Sequence, residues 1–329
     1  MANAALAPSK IPFESRGLDR KQTFWERLRK GDEVAHLITL AGGWSILVIT
    51  VLLVQHLWVY SRLSRQAFGW HFLVGSTWDP VKSVFGAWPF VYGTVVTSLL
   101  ALAIAIPIGL GSAIFLAELA PRKLSTSLSF LIELLAAVPS VIYGLIGIFL
   151  LIPALFTVVP YFQKVFGWLP IFSGAFYGVS YFSASIVLSI MVVPFIISIS
   201  REVLLAVPVS QREAMMALGA TKWEVTWRAV VPYAREGIMG SIFLSLARAL
   251  GETMAVTMVI GNVAQVSSSL MAPGYTIAAV IANEFTEATG DLYLHALIEL
   301  GLVLFVVTMI FNALARLLML SMKGNRVVG

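Results

Sequence analysis

Cysteine is absent from the 329 residues, which excludes disulfides and thiol-ligated metals as sources of stability or chemistry. Charge is scarce: Asp, Glu, Lys and Arg together make up 12% of the chain, against about 25% in ordinary soluble domains. No glycine is followed directly by lysine, so the chain holds no phosphate loop of the form GxxxxGK[ST], and any ATP it depends on must be bound by another chain. The four histidines, at 36, 56, 71 and 295, have no HExxH spacing, and no serine sits in a GxSxG elbow. A metalloenzyme or an intramembrane protease therefore finds little support. Internal repeats, the mark of many one-chain secondary transporters, are not evident either.

What is abundant is apolar sequence, 59% of residues. Residues 36–60 contain no formal charge, enough for one tilted span, and 89–117 repeat the pattern. Further spans are expected at about 127–151, with Pro139 kinking it, and at 181–200, 237–261 and 292–318. Residues 153–177 are apolar too, but Pro153, Pro160, Pro170, Lys164 and Trp168 suit an interfacial loop better than a span. The expected fold is an all-α integral membrane protein with six transmembrane helices. The first 35 residues are charged and lack the apolar core of a signal peptide. Residues 18–30, with Phe24, Trp25 and Leu28, suit an interfacial helix or a solvated tail.

The net charge of +5 could point to nucleic acid, but its distribution follows membrane topology instead. Of the 22 Lys and Arg, 17 lie before residue 36, after the second span, between 201 and 235, or after 315, and only Arg62, Arg65, Lys82 and Lys164 fall in the opposite loops. The positive-inside rule then puts both termini in the cytoplasm and residues 61–88 outside. Membrane lipid, not nucleic acid, is the expected surrounding.

One polar island interrupts the oily chain: residues 210–232, SQREAMMALGATKWEVTWRAVVP. Ser210 stands three residues before Glu213, and Thr221 three before Glu224, so two capping boxes are expected to start two short helices with Gly219 ending the first. Ala214, Met215, Ala217 and Leu218 gather on one side of the first helix; Trp223, Trp227, Val230 and Val231 gather on the second. Helices of about eight residues are marginal alone, so packing must hold them.

The remaining charge, Arg248, falls eleven residues beyond Gly237, near mid-bilayer if helix five is continuous. Placing it there costs on the order of 2.5–3.5 kcal/mol even on the lenient scale. Glu252, one turn on, is expected to pair with it on the same face. A guanidinium fork suits a tetrahedral oxyanion, and a neutralised pair joining helices is the structural alternative. Glu299 with His295 one turn before it reads as an interhelical polar contact.

The island resembles the EAA loop of permease subunits in ATP-binding-cassette importers, through Glu213, Ala214, Gly219 and Pro232. Met215, Ala229 and Val231 depart from that family's usual alanine, Ile and Leu, and all stay apolar. RALGE at 248–252, Gly261-Asn262 and AAVPSVIYG at 136–144 are similar to a permease subunit of the high-affinity phosphate importer. The resemblance implies a type I ABC importer permease fold over 89–322, after a cytoplasmic segment 1–35, a first helix 36–60 and an extracytoplasmic loop 61–88. It implies a coupling loop 201–236, in which Glu213, Ala214, Gly219, Ala220, Thr221 and Pro232 meet the ATPase, and a phosphate path past Arg248 and Glu252. Implied partners are a second homologous permease subunit, two ATPase subunits that bind ATP and Mg, and an extracytoplasmic phosphate-binding protein, at a bacterial inner membrane. The chain itself is then a transport subunit and not an enzyme. Carriage of molybdate or sulfate, or an anion channel or carrier without an ATPase, fits the same residues.

Overall fold

A computed structural model describes residues 32–324; the expected interfacial helix at 18–30 and the last five residues lie outside that range. The chain divides into two units, one ending at His56 and one beginning at Leu57. The first is carried by α1 (Asp32–Tyr60), whose span Val34–Tyr60 has a mean hydropathy of 2.4. Its apolar residues point in all directions, as on a helix facing lipid or other membrane helices.

In the second unit, α2 (Arg62–Phe68) and α3 (His71–Val74) are short. Helix α4 (Trp88–Ile114) continues through a π-turn at Phe115–Leu119. α5 (Arg122–Ala136) is amphipathic and stops at Pro139, which leads into α6 (Ser140–Ile146), a π-turn and α7 (Ile152–Phe166). α8 is Tyr181–Leu205, α9 Val209–Ala217, α10 Lys222–Val225, α11 Val231–Leu250, α12 Met254–Ile260, α13 Ile277–Glu284 and α14 Asp291–Gly324. Among the described residues five helices are long and apolar enough to cross a membrane, and Lys222–Leu250 with Met254–Ile260, a pair bent by 61° at a short break, meet the same measure together.

Two expectations need correction. The third crossing is Ser140–Phe166, not 127–151, so the stretch set aside as an interfacial loop is mostly membrane helix. Pro153 follows directly on the π-turn at Gly147–Leu151, whose wider backbone accommodates the donor that proline lacks. Ser125, Thr126, Ser129 and Glu133 keep α5 out of the set of spans by giving it a polar face. Helix five is likewise not continuous: it breaks at Gly251–Thr253.

The centre of the bundle is α4 against α8. Ala101, Ala105 and Gly109 recur every fourth residue and are buried, and a Cβ on Gly109 would lie 2.8 Å from Ile196 Cγ2. Small residues at that spacing let helix backbones approach where no hydrophobic effect drives them together. Several polar side chains in the bundle are satisfied internally: Ser185 Oγ donates to Tyr181 O at 2.7 Å, Thr97 Oγ1 to Gly93 O at 2.7 Å, and Ser200 and Ser241 join α8 to α11 at 2.7 Å. At the end where α4 and α8 begin, Tyr181 Oη donates to Gln265 O (2.9 Å) and Tyr92 Oη to Ser267 O (2.7 Å), pinning the loop 261–276 across the bundle. Beside it Trp78 Nε1 and Tyr293 Oη both donate to Glu284 Oε2, at 2.8 and 2.6 Å.

Candidate functional site

The island at the opposite end folds as two helices around a left-handed glycine. α9 starts behind Pro208, whose fixed backbone angle sets the first turn, with Gln211 N donating to Pro208 O at 3.1 Å. Ser210 therefore lies inside the helix and the first capping box does not form. Gly219, at φ +83°, closes α9, with Gly219 N on Met216 O and Ala220 N on Met215 O. The second capping box is present: Thr221 N donates to Glu224 Oε2 at 2.9 Å and Glu224 N to Thr221 Oγ1 at 3.4 Å.

α10 is not a separate short helix. It passes through a π-turn at Thr226–Val230 directly into α11, with Pro232 in the first turn of α11. The wide turn absorbs the donor that proline lacks, so Lys222–Leu250 forms one continuous rod. Glu213, Ala214 and Thr221 are exposed and Ala220 is half-buried. Ala214, Leu218, Arg228, Pro232 and Tyr233 line an open groove of about 460 Å³ between α9 and the α11 rod. Arg212, which the sequence reading passed over, joins this island to the bundle through Glu118 and the carbonyls of Leu204 and Val207. Nothing local in the sequence pairs Arg212 with a carboxylate 94 residues away.

Arg248 sits in the last turn of α11, beside the break, and is exposed on this chain. Its guanidinium carbon lies 5.5 Å from the centre of the Phe195 ring on α8, within cation–π range. Glu252 does not pair with it as expected: among the described residues, no ion pair joins the two. Instead Glu252 Oε1 accepts from Ala255 N at 3.2 Å, capping the start of α12. The 61° bend explains the difference, because residues four apart face each other only on an unbroken helix. A cation at the C-terminal end of α11 and an anion at the N-terminal end of α12 each complement the local helix dipole. Two half-helices meeting in a membrane, with a charge left free at the break, form the arrangement that binds ions in many transporters.

Residues 105–323, more than half of the chain, match the family described as binding-protein-dependent transport system inner membrane component. The chain belongs to that family. Among curated relatives of this permease is the phosphate transport system permease protein PstC of Mesorhizobium japonicum, 46% identical over 299 residues that cover 89% of this chain and 91% of the relative. The protein of the same name from Xylella fastidiosa is 46% identical over 297 residues, 88% of this chain and 91% of the relative. A probable PstC from Methanocaldococcus jannaschii is 35% identical, over 87% and 92% of the two chains. The permease shares its fold with a chain of the MetNI methionine ABC transporter in an inward-facing conformation, at a TM-score of 0.53 and 15% identity, covering 75% of this chain and 99% of that one. It is a multi-pass membrane permease of the type I ABC transporter fold.

Proposed function

We propose that the permease forms half of a pathway for inorganic phosphate, driven inward by ATP hydrolysed on partner subunits. One observation carries the reading: Arg248 stands exposed on this chain beside the break in the bent helix pair, and among the described residues no ion pair joins it to a carboxylate. A guanidinium so placed offers forked donors to a phosphate oxyanion, and relatives at 46% identity bear the name of a phosphate permease. Glu252, engaged with the α12 backbone, keeps the half-helix in place beside Arg248 and limits the net positive charge at the site, so a phosphate is held weakly enough to leave. The face of the break would be closed by a second, homologous permease subunit.

On this reading the groove beside Ala214 and Pro232 receives an ATPase subunit that binds ATP and Mg, and Glu213, Gly219, Ala220 and Thr221 shape the docking surface. Closure of the ATPases pushes α10, and the rod α10–α11 tilts at the break below Arg248. An extracytoplasmic binding protein delivers phosphate at the other end, both termini face the cytoplasm of a bacterial inner membrane, and residues 61–88 face outward. The test is uptake of labelled phosphate into vesicles holding the assembled complex, with ATP inside or outside, and with sulfate and molybdate as competitors. ATP-dependent uptake that excess sulfate or molybdate leaves intact is expected; displacement of phosphate by either competitor at equal concentration would sink the phosphate assignment.

A further inference from the structure

Helix α14 carries a buried carboxyl group that passage by Arg248 does not use. Glu299 is 5% exposed; the Ser64 hydroxyl and the Arg65 guanidinium act on its carboxyl, yet its Oε2 has no well-formed hydrogen bond among the described residues. A carboxylate oxygen shielded from water without a well-placed donor is costly, so its place in the fold calls for an explanation. Glu299 lines a cavity of about 670 Å³ whose walls are almost wholly apolar.

The dimensions match a lipid leaflet. Val303, Val306 and Ile310 continue the α14 wall below Glu299, and the eleven residues from Glu299 to Ile310 rise about 16 Å. One leaflet of hydrocarbon is about 15 Å thick. With 34 residues, α14 is about 50 Å long, so its first turns project past the hydrocarbon and Glu299 falls near the headgroup boundary. Trp58, Trp70 and Trp88 stand around the cavity at 55%, 84% and 45% exposure, as indoles do at that level.

The polar groups are of both signs. Arg65 lines the same cavity, its guanidinium 3.6 Å from the centre of the Trp58 ring, with Nε on Ser61 Oγ at 3.0 Å and Nη2 on Trp58 O. Its Nη1 has no partner among the described residues. An anionic lipid would satisfy Arg65 and be repelled by Glu299. A choline headgroup has no N–H to give to Oε2. A phosphate ester bearing a primary ammonium satisfies both.

We propose that this cavity holds one phospholipid of the phosphatidylethanolamine type, its phosphate on Arg65, its ammonium on Glu299 and an acyl chain against Val303, Val306 and Ile310. The site does not depend on which anion is transported. Its test is lipid analysis of the complex purified in mild detergent, for the native chain, Glu299→Gln and Val306→Trp, with assembly checked for each. The native complex should keep about one phosphatidylethanolamine per chain through extended washing; Glu299→Gln should lose at least fivefold of it, and Val306→Trp should lose lipid of every headgroup. A native complex that keeps none, or a Glu299→Gln complex that keeps as much, overturns the assignment. The delipidated native complex gives a second reading: added phosphatidylethanolamine should raise its melting midpoint and phosphatidylcholine should not, and equal effects count against the site. Disulfide capture of Ile310→Cys by a helix of the second permease in native membranes would show a protein occupant instead and equally overturn it.

Discussion

Arg212 Nη2 lies 2.7 Å from Glu118 Oε1 and 2.9 Å from Leu204 O, so one guanidinium holds α9 to the ends of both central helices, α4 and α8. The side chains are 17% and 10% exposed, which makes this a largely buried pair, and all three guanidinium nitrogens are engaged. Such a pair adds little net stability, but removing one partner strands the other. Arg212→Gln is expected to cost about 3 kcal/mol, the low end for broken buried pairs, read as a lower melting midpoint of the complex. It should also leave ATPase activity running without transport, since α9 could then move while α4 and α8 stay still. Glu118→Gln keeps a neutral acceptor for Arg212 and should be milder in both readouts. Tight coupling in an assembled Arg212→Gln complex would show that force travels only through the α10–α11 rod.

Gly219 separates backbone strain from crowding. It has φ +83°, and a Cβ built there meets nothing within 4 Å. Any cost of substitution therefore comes from the left-handed backbone alone, about 1–3 kcal/mol for a β-branched residue. Gly219→Val should weaken ATPase docking and coupling, while Gly219→Asn, tolerated in that conformation, should keep most of both. Equal loss in the two, measured by copurified ATPase and by uptake, would mean that the turn needs a missing side chain and not a backbone angle.

Much of this was legible in the sequence because the signals are local. Long apolar runs with little or no charge gave the first, second, fourth and sixth crossings, and Thr221 with Glu224 gave a real capping box. The misses are places where one residue's effect depends on its neighbours. Pro153 and Pro160 read as breakers, yet Pro153 follows directly on a π-turn and α7 runs on through Pro160. Ser210 read as a cap, yet Pro208 starts the helix first. Arg248 and Glu252 read as a pair four apart, but Gly251 sits where the helix turns by 61° and sends them to different partners. Arg212 with Glu118 was invisible because only the packing of α9 on α4 brings them together.

Arg248 makes two chemical offers, a charge and a planar fork, and substitutions separate them. Its ring contact with Phe195 at 5.5 Å is partial, and the residue is exposed on this chain, so the bundle does not rest on it. Arg248→Gln should abolish phosphate uptake with the complex intact, whereas Arg248→Lys should retain a small fraction because charge remains while bidentate geometry is lost. Full activity in the lysine form would assign the residue an electrostatic role only, and failure of Arg248→Gln to assemble would make it a packing residue.

Close approach of α4 and α8 distinguishes two glycines that look alike in sequence. A Cβ at Gly109 would press on Ile196 at 2.8 Å, while Gly111 has open space. Gly109→Val is expected to destabilise by about 1–3 kcal/mol through overpacking, and Gly111→Val by much less. Comparable melting midpoints for the two variants would mean that the helices can separate freely.

Absence of cysteine makes the topology directly measurable, since a single introduced thiol is the only reactive one in the chain. Thr221 and Val81 suit the purpose: both are exposed, Val81 at 95%, and they lie in loops at opposite ends of the bundle. Thr221→Cys should react with a membrane-impermeant maleimide only in inverted vesicles, and Val81→Cys only in right-side-out ones. ATPase bound in the groove beside Ala214 should slow the reaction at Thr221→Cys and leave Val81→Cys unchanged, because a docked subunit shields one end alone. Labelling at Thr221→Cys from the outer face would reverse the orientation that the distribution of Lys and Arg implies. It would also remove the coupling role, since no cytoplasmic ATPase could then reach α9 and α10.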